Sequence, residues 1–281
     1  MTAALTRRWL RRVPAYALLT ACAAVVLFPL YVTFVDSLHP IAEFLNNPPP
    51  GLWPHDPQWK NYFSSSGAAS DTPLGRYLFN SFVMAGVITL AQLITSSLAA
   101  YAFAFLRFPG RDQLFLVFLA TMMVPLEVAI IPNFQTIQWL GWTDTYQGLV
   151  APFLATGFGT FLLRQYFLTI PRELKDAADM DGYGHLRFLT SIVVPLARGA
   201  LATLAIFAFI QAWNQYLWPL LVTNDPDMRT VQIGIAAETQ KLDKINVAFA
   251  STAISLLPML LLVVAFQRVL VRGLFGGAVK G

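Results

Sequence analysis

The sequence predicts an all-α integral membrane protein with six transmembrane helices and a charged helix-turn-helix loop between the fourth and fifth of them. Three observations support this fold class. Hydrophobic residues make up 56% of the chain and charged residues only 12%, a composition outside the range of ordinary soluble domains. Six apolar segments are long enough to span a bilayer, and the charged residues are concentrated between them. We therefore expect one transmembrane domain, residues 1–281.

The six spans follow from length and hydropathy. A helix needs about 20 apolar residues to cross the hydrocarbon core, and a helix satisfies all of its own backbone groups there. The segments that meet this requirement are 14–35, 77–106, 113–132, 147–168, 199–222 and 248–271.

The first segment permits one alternative. Leu19-Thr20-Ala21-Cys22 has the form of a lipoprotein processing site behind a basic N-terminus. The apolar run continues to Leu30, however, whereas a cleavable signal normally ends near its processing site. A retained helix is therefore favoured, with Cys22 as a packing residue, since a single cysteine has no internal disulfide partner.

The basic residues predict the orientation of the spans. Fourteen of the 19 lysines and arginines fall on one side of the predicted topology and five on the other. The side rich in positive charge faces the cytoplasm in membrane proteins. Both termini and the loop 171–195 are therefore expected to be cytoplasmic. On the outer side, the proline-rich segment 36–76 predicts an interfacial loop rather than a folded domain, and 133–146 predicts a short interfacial helix.

The loop 171–195 is the most informative part of the chain. Pro171 suits the start of a helix, and Glu173 and Asp176 place negative charge in the first turns, where the helix dipole favours it. Gly182 can take a positive φ and end that helix. Apolar residues at helical spacing follow, up to Pro195, so the loop predicts helix, turn, helix at a membrane surface.

The motif Asp176-Ala177-Ala178, followed by Gly182 and then Ile192-Val193-Val194-Pro195, resembles the EAA…G…I-x-L-P signature of importer-type ABC transporter permeases. Asp176 stands in place of the usual Glu, and Val194 in place of Leu. In that family the loop enters a cleft of a cytoplasmic ATPase. The resemblance implies that the residues in contact with the ATPase are Glu173, Asp176, Ala177, Ala178, Asp181, Gly182, Pro195 and, from the C-terminal tail, Lys280.

The similarity extends over most of residues 77–281. Segments 164–174, 213–221 and 267–274 resemble the second permease subunits of glycerol-3-phosphate importers, whereas the ending Gly277-Ala278-Val279-Lys280-Gly281 is similar to maltose-type permeases. The resemblance implies a bacterial plasma (inner) membrane location. It also implies a heterodimer with a second permease subunit, two ATPase subunits that bind ATP and Mg, and an extracytoplasmic substrate-binding protein. No cofactor is expected on this chain.

Polar side chains within the spans are candidates for the solute pathway, because such groups are costly unless they face a bundle interior or a wet cavity. Amide and aromatic side chains fall on one predicted helical face in the fifth span. Interhelical hydrogen bonding is an equally good interpretation of that stripe. The candidate pathway residues are Gln211, Asn214, Gln215, Trp218, Glu127 and Asn80.

The sequence argues against an enzyme. Its three histidines are scattered and lack cysteine or carboxylate partners at metal-ligand spacing, and it has no GxxxxGK[ST] phosphate-binding loop. The leading hypothesis is a permease for glycerol-3-phosphate or glycerophosphodiesters, and the alternative is a maltose- or trehalose-type oligosaccharide importer. An intramembrane enzyme and a channel remain as other classes, although a channel would not explain the charged loop.

Overall fold

The computed structural model describes residues 2–46, 50–66 and 73–275. Within these residues the fold is all-α, with no strand, as predicted. The chain forms two compact units, residues 1–75 with 234–257 and residues 76–233 with 258–281. The α-helices are α1 Thr2–Asp36, α2 Ile41–Asn46, α3 Lys60–Ser66, α4 Leu74–Phe105, α5 Arg111–Thr121, α6 Leu126–Trp139, α7 Tyr146–Val150, α8 Gly157–Phe167, α9 Arg172–Met180, α10 His185–Phe188, α11 Val194–Leu196, α12 Arg198–Trp213, α13 Leu217–Val222, α14 Val231–Thr239 and α15 Ile245–Phe275.

Three single helices are long and apolar enough to cross a membrane, namely Val13–Asp36 of α1, α4, and Ile245–Gln267 of α15. Two further pairs meet the same test only as broken helices. In the first pair, the helices at 146–153 and 157–167 meet at a bend of 48°. In the second pair, the helices at 185–196 and 198–213 meet at a bend of 83°. By length and composition, the described residues thus contain three spans, or up to five if each bent pair counts as one.

The predicted third span, 113–132, is not one helix. The chain instead forms α5 and α6, which are interrupted at residues 122–125. Pro125 favours the break, because in a continuous helix its ring would clash with the carbonyl group of Thr121, the last residue of α5. The predicted interfacial helix at 133–146 consequently begins earlier, as part of α6.

The predicted fifth span, 199–222, is also divided. α12 ends at Trp213, and α13 begins only at Leu217. Pro219 favours the break, since its ring would clash with the carbonyl group of Gln215 if the helix continued through this region. The polar stripe predicted for this span therefore does not lie on one helical face.

The bend between α7 and α8 is stabilised by side chains from α4. The side-chain N–H of Gln92 donates to the carbonyl oxygen of Phe153 at 2.9 Å. The Thr95 hydroxyl lies 3.0 Å from the carbonyl oxygen of Leu154 and 2.9 Å from that of Ala91 in its own helix, so it shares its hydrogen between the two. A broken helix frees backbone carbonyl groups, which are costly inside a bilayer unless neighbouring side chains satisfy them. α4 thus supplies the donors that the bend requires.

Buried amide side chains organise the chain just after α1. Within the first unit, Asn61 donates its Nδ2 to the carbonyl oxygens of Ser37 at 2.9 Å and His39 at 3.3 Å, just beyond the end of α1. Asn246 donates in turn to the Oδ1 of Asn61 at 3.1 Å. The buried Asn61 amide thus satisfies backbone groups beyond the end of α1, and Asn246 holds that amide in place within the first unit.

Candidate functional site

The site begins with α9, a short helix that presents charged groups to its surroundings. Pro171 precedes it in an extended conformation (φ −57°, ψ 137°), and Glu173 lies in its first turn. Glu173 and Asp176 are exposed. Lys175 forms an ion pair with Asp179 one turn later. The carboxylate of Asp176, by contrast, forms no hydrogen bond or ion pair with any described residue.

A Schellman motif ends α9 at Gly182. The N–H of Tyr183 donates to the carbonyl oxygen of Ala178 at 2.8 Å, and the N–H of Gly182 donates to that of Asp179 at 3.1 Å. This pair of hydrogen bonds requires a left-handed residue directly after the helix cap. Gly182 supplies it with φ +75°. The sequence pattern had predicted a glycine stop at this residue.

After the turn, a second helical segment contains a π-helical stretch. α10 is followed by a π-helix over Leu189–Val193 and then by α11, which contains Pro195. Pro195 offers no N–H, and its ring would crowd the carbonyl group four residues earlier in an α-helix. The wider π-helix accommodates that proline.

Buried apolar residues attach both helical segments to the second unit. Ala178 from α9 and Phe188 from α10 belong to one core cluster with Tyr101 of α4, Phe167 of α8 and Leu204 of α12. The Phe188 ring is fully buried, which stabilises the attachment by roughly 1.5–3 kcal/mol. The apolar face of the loop is thus fixed, while its charged face stays accessible.

Polar contacts that the sequence pattern did not reveal also hold the loop. The hydroxyl of Tyr101 lies 3.0 Å from Nδ1 of His185, and the hydroxyl of Tyr166 donates to the carbonyl oxygen of Leu196 at 2.9 Å. The guanidinium of Arg187 lies 4.2 Å from the centroid of the Tyr183 ring. The sequence showed only that Tyr101 and Tyr166 lie near the ends of apolar segments, and this does not identify their hydrogen-bond partners.

Most of the residues predicted to contact the ATPase are exposed in the structure. Asp176, Ala177, Asp181 and Gly182 are exposed in the first helix and its turn, and Pro195 is exposed in the second segment. Ala178 is buried in the core cluster and so attaches the loop from within. Lys280 lies outside the described residues.

The candidate pathway residues near the break after α12 separate into two groups. Gln211 and Asn214 are exposed, and Asn214 also donates its Nδ2 to the carbonyl oxygen of Ile210 at 2.9 Å. Gln215 is half-buried, and its Oε1 has no hydrogen-bond partner among the described residues. Trp218 is buried and donates its indole N–H to the carbonyl oxygen of Gly148 at 3.1 Å.

The other two pathway candidates also differ from each other. Asn80 is fully buried, and its Nδ2 donates to the carbonyl oxygens of Asp227 at 2.8 Å and Arg229 at 2.9 Å. Its Oδ1 accepts a hydrogen bond from the hydroxyl of Tyr146 at 2.7 Å. Glu127 is exposed in the first turn of α6. Asn80 thus bonds to the loop around residues 227–229, while Glu127 is exposed.

Residues 92–276 match the family described as binding-protein-dependent transport system inner membrane component. Curated relatives named sn-glycerol-3-phosphate transport system permease protein UgpE include one from Agrobacterium fabrum, 39% identical over 95% of this chain and 97% of its own length. The relative from Brucella abortus is 40% identical over 89% of this chain and 91% of its own. The relative from Yersinia enterocolitica is 42% identical over 89% of this chain and 90% of its own.

A solved structure of a bacterial ABC transporter that imports the acidic polysaccharide alginate superposes with a TM-score of 0.77. That match has 24% sequence identity and covers 94% of this chain and 97% of the other, and it shows the shared fold alone. The resemblance inferred from the charged loop is confirmed by the family match and the curated relatives. The chain therefore belongs to the family of inner-membrane components of binding-protein-dependent transport systems, which are transport permeases rather than enzymes.

Proposed function

We propose that this chain is the permease subunit of an ATP-driven ABC importer for glycerol-3-phosphate or glycerophosphodiesters. It would form half of the translocation pathway together with a second permease subunit, and a binding protein would deliver the solute. The substrate class is supported by the curated relatives, whose names specify sn-glycerol-3-phosphate transport and which align over most of the chain.

The coupling role is supported by one observation above all, the charged helix α9 held on a buried apolar base. A helix that transmits force between subunits needs an accessible face for the partner and a stiff attachment to its own membrane helices. The exposed Asp176 provides the first, and the burial of Ala178 and Phe188 provides the second. The partner ATPases would bind ATP and Mg, and this chain would receive their motion through α9.

The proposed topology has six spans with both termini in the cytoplasm. α1, α4 and α15 each form one span, the α7–α8 pair forms another, and the segments of α5–α6 and α12–α13 complete the set. The 83° bend before α12 exceeds the tilt of ordinary transmembrane helices, so residues 185–196 are better placed along the membrane surface. This arrangement puts the loop 171–195 on the side richer in basic residues.

Cysteine labelling tests the orientation. In a Cys22→Ser background, His55→Cys is expected to react in intact cells with a membrane-impermeant thiol reagent, because His55 is exposed in the outward segment. Met180→Cys is expected to react only after the membrane is permeabilised, since Met180 is 84% exposed but lies in the cytoplasmic loop. Labelling of Met180→Cys in intact cells would reverse the topology.

The exposed amides at the end of α12 are the proposed solute contacts. Gln211→Ala and Asn214→Ala are each expected to lower apparent solute affinity roughly 5- to 150-fold, because a lost polar contact costs about 1–3 kcal/mol. Uptake by proteoliposomes measures this change, and co-purification of the subunits shows whether the complex still assembles. Unchanged uptake in both variants would show that these amides only pack.

Trp218→Phe provides a matched comparison for the amide variants. It keeps an aromatic ring in the buried site but removes the N–H that donates to Gly148. Because Gly148 is buried, loss of the donor to its carbonyl oxygen is expected to lower stability by about 1–3 kcal/mol. We expect a lower Tm with unchanged solute preference, and an altered preference would instead place Trp218 in the pathway.

Competition for uptake tests the substrate class. The full complex in proteoliposomes should take up labelled glycerol-3-phosphate, and unlabelled glycerol-3-phosphate or glycerophosphocholine should compete. Maltose and trehalose should not compete at the same concentrations. Uptake of the disaccharides without uptake of either phosphate compound would support the oligosaccharide alternative and reject the proposed substrate.

A further inference from the structure

A basic cleft opens in the second unit, at one end of α4. It has a volume of about 470 Å³. Its lining comes from the loop after α4, the first turn of α5 and the first residue of α9. The lining residues are Arg107, Phe108, Gly110, Arg111, Asp112, Gln113 and Arg172.

The positive charge of this cleft is not balanced within the described part of the chain. Three arginines line it against one carboxylate, Asp112, which lies 3.2 Å from Nε of Arg111 and 3.9 Å from a guanidinium nitrogen of Arg164. Arg107 and Arg172 make no hydrogen bond or ion pair with any described residue and are exposed. Two guanidinium groups are therefore available to an anion.

The helix dipoles increase this imbalance. Arg111 is the first residue of α5, and Arg172 is the first residue of α9. The N-terminus of a helix carries partial positive charge, so an arginine there is unfavourable by a few tenths of a kcal/mol to about 1 kcal/mol. No side chain caps either helix start among the described residues. A negatively charged group bound between these two helix starts would offset the unfavourable interaction of the arginines with the helix dipoles.

The position of the cleft indicates the source of that negative charge. Arg107 follows the end of the spanning helix α4 by two residues, and the Phe108 ring packs 6.1 Å from that of Phe103 within α4. Basic and aromatic residues at the end of a membrane span lie at the level of the lipid head groups. We propose that the cleft binds the phosphate group of an anionic phospholipid, with Arg107 and Arg172 as its principal partners. This site goes beyond the proposed transport function and does not depend on which solute is carried.

Lipid binding to the purified full chain tests the proposal. The chain is exchanged into detergent with phosphatidylglycerol or phosphatidylcholine, and bound lipid is counted by native mass spectrometry over a range of lipid concentrations. Each of Arg107→Gln and Arg172→Gln is expected to weaken phosphatidylglycerol binding about fivefold, and the double variant about 25-fold. Arg198→Gln is the matched control, because Arg198 is likewise an exposed arginine at the first position of a helix but does not line the cleft.

Preferential retention of phosphatidylglycerol by the wild-type chain and by Arg198→Gln, but not by the double variant, would support the proposal. Arg107→Lys with Arg172→Lys should keep most of the binding, which separates lost charge from misfolding. Equal lipid retention by the wild-type chain and the double glutamine variant would overturn the proposal of a lipid site. A site that binds inorganic phosphate through these arginines without preferring phosphatidylglycerol would overturn the lipid source. Loss of ATPase binding with unchanged lipid retention would assign the arginines to the partner protein instead.

Discussion

Gly182→Val is expected to abolish solute uptake while leaving the chain in the membrane. The φ of +75° at this position costs a residue with a Cβ about 1–2 kcal/mol, and a β-branched side chain is restricted further. An added Cβ would meet no atom within 4 Å, so the effect arises from backbone strain rather than from a clash. Relief of that strain breaks the hydrogen bonds that end α9 and reorients the helix.

Uptake and solute-stimulated ATP hydrolysis in proteoliposomes measure the effect of Gly182→Val. Gly184→Val is a matched control, because Gly184 lies two residues away with φ −73° and ψ 166°, a conformation that valine favours, and it also has open space around its Cβ position. Gly182→Asn should retain partial uptake, since asparagine tolerates the left-handed region. Normal uptake by Gly182→Val would contradict the proposal that this loop transmits the motion of the ATPases to the permease.

Asp176→Ala is expected to weaken the association with the ATPase on the order of 10- to 100-fold. A charge-assisted hydrogen bond across an interface contributes about 1.5–3 kcal/mol, and the Asp176 carboxylate is exposed and available for one. Titration of purified ATPase onto the solubilised permease complex measures the affinity. Asp176→Glu should be tolerated, because it keeps the charge and restores the residue usual in similar permeases.

Asp179→Asn separates a specific contact from a general loss of negative charge on α9. Asp179 lies on the same helix, but its carboxylate is already held by Lys175. Its substitution should therefore reduce ATPase affinity much less than Asp176→Ala does. Equal losses in the two variants would show that only the net charge of the helix matters, and an unchanged affinity in Asp176→Ala would contradict the proposed contact.

Local signals in the sequence predicted the first helix of the charged loop and the residue at which it ends. Pro171, the acidic first turns and Gly182 placed a helix and its stop within residues 171–182, and the structure has α9 at Arg172–Met180 with Gly182 in the left-handed region. The predicted bounds of the first, second and sixth spans also lie within a few residues of the long apolar helices in the structure. Each of these segments is an uninterrupted apolar run, and such a run forms a single helix of about its own length. Predictions of this kind succeed when the determining residues are neighbours in sequence.

The interrupted spans could not be predicted from summed hydropathy, because a bent segment and a straight one have the same composition. The positions of the prolines alone did not predict which helices are interrupted. Pro125 and Pro219 lie next to breaks, whereas Pro29 and Pro258 lie inside continuous helices. Nor could sequence spacing show that Trp218 bonds to Gly148, 70 residues away. These features depend on tertiary partners.

The hydrogen bonds from Gln92 and Thr95 to the bend between α7 and α8 have a consequence for biosynthesis. Donor and acceptor are 61 residues apart for Gln92 and 59 for Thr95, so translation separates them by about 3 to 12 s. During that interval α4 would expose an unpartnered amide to lipid, which is unfavourable. We expect α4 to remain beside the insertion machinery until residues 146–167 emerge, and Gln92→Leu to allow its earlier release.

Photocrosslinking from position 95 in ribosome-bound chains of increasing length would detect when the neighbours of α4 change from the insertion machinery to lipid. Release of the wild-type α4 before residue 154 is exposed would refute this order of insertion.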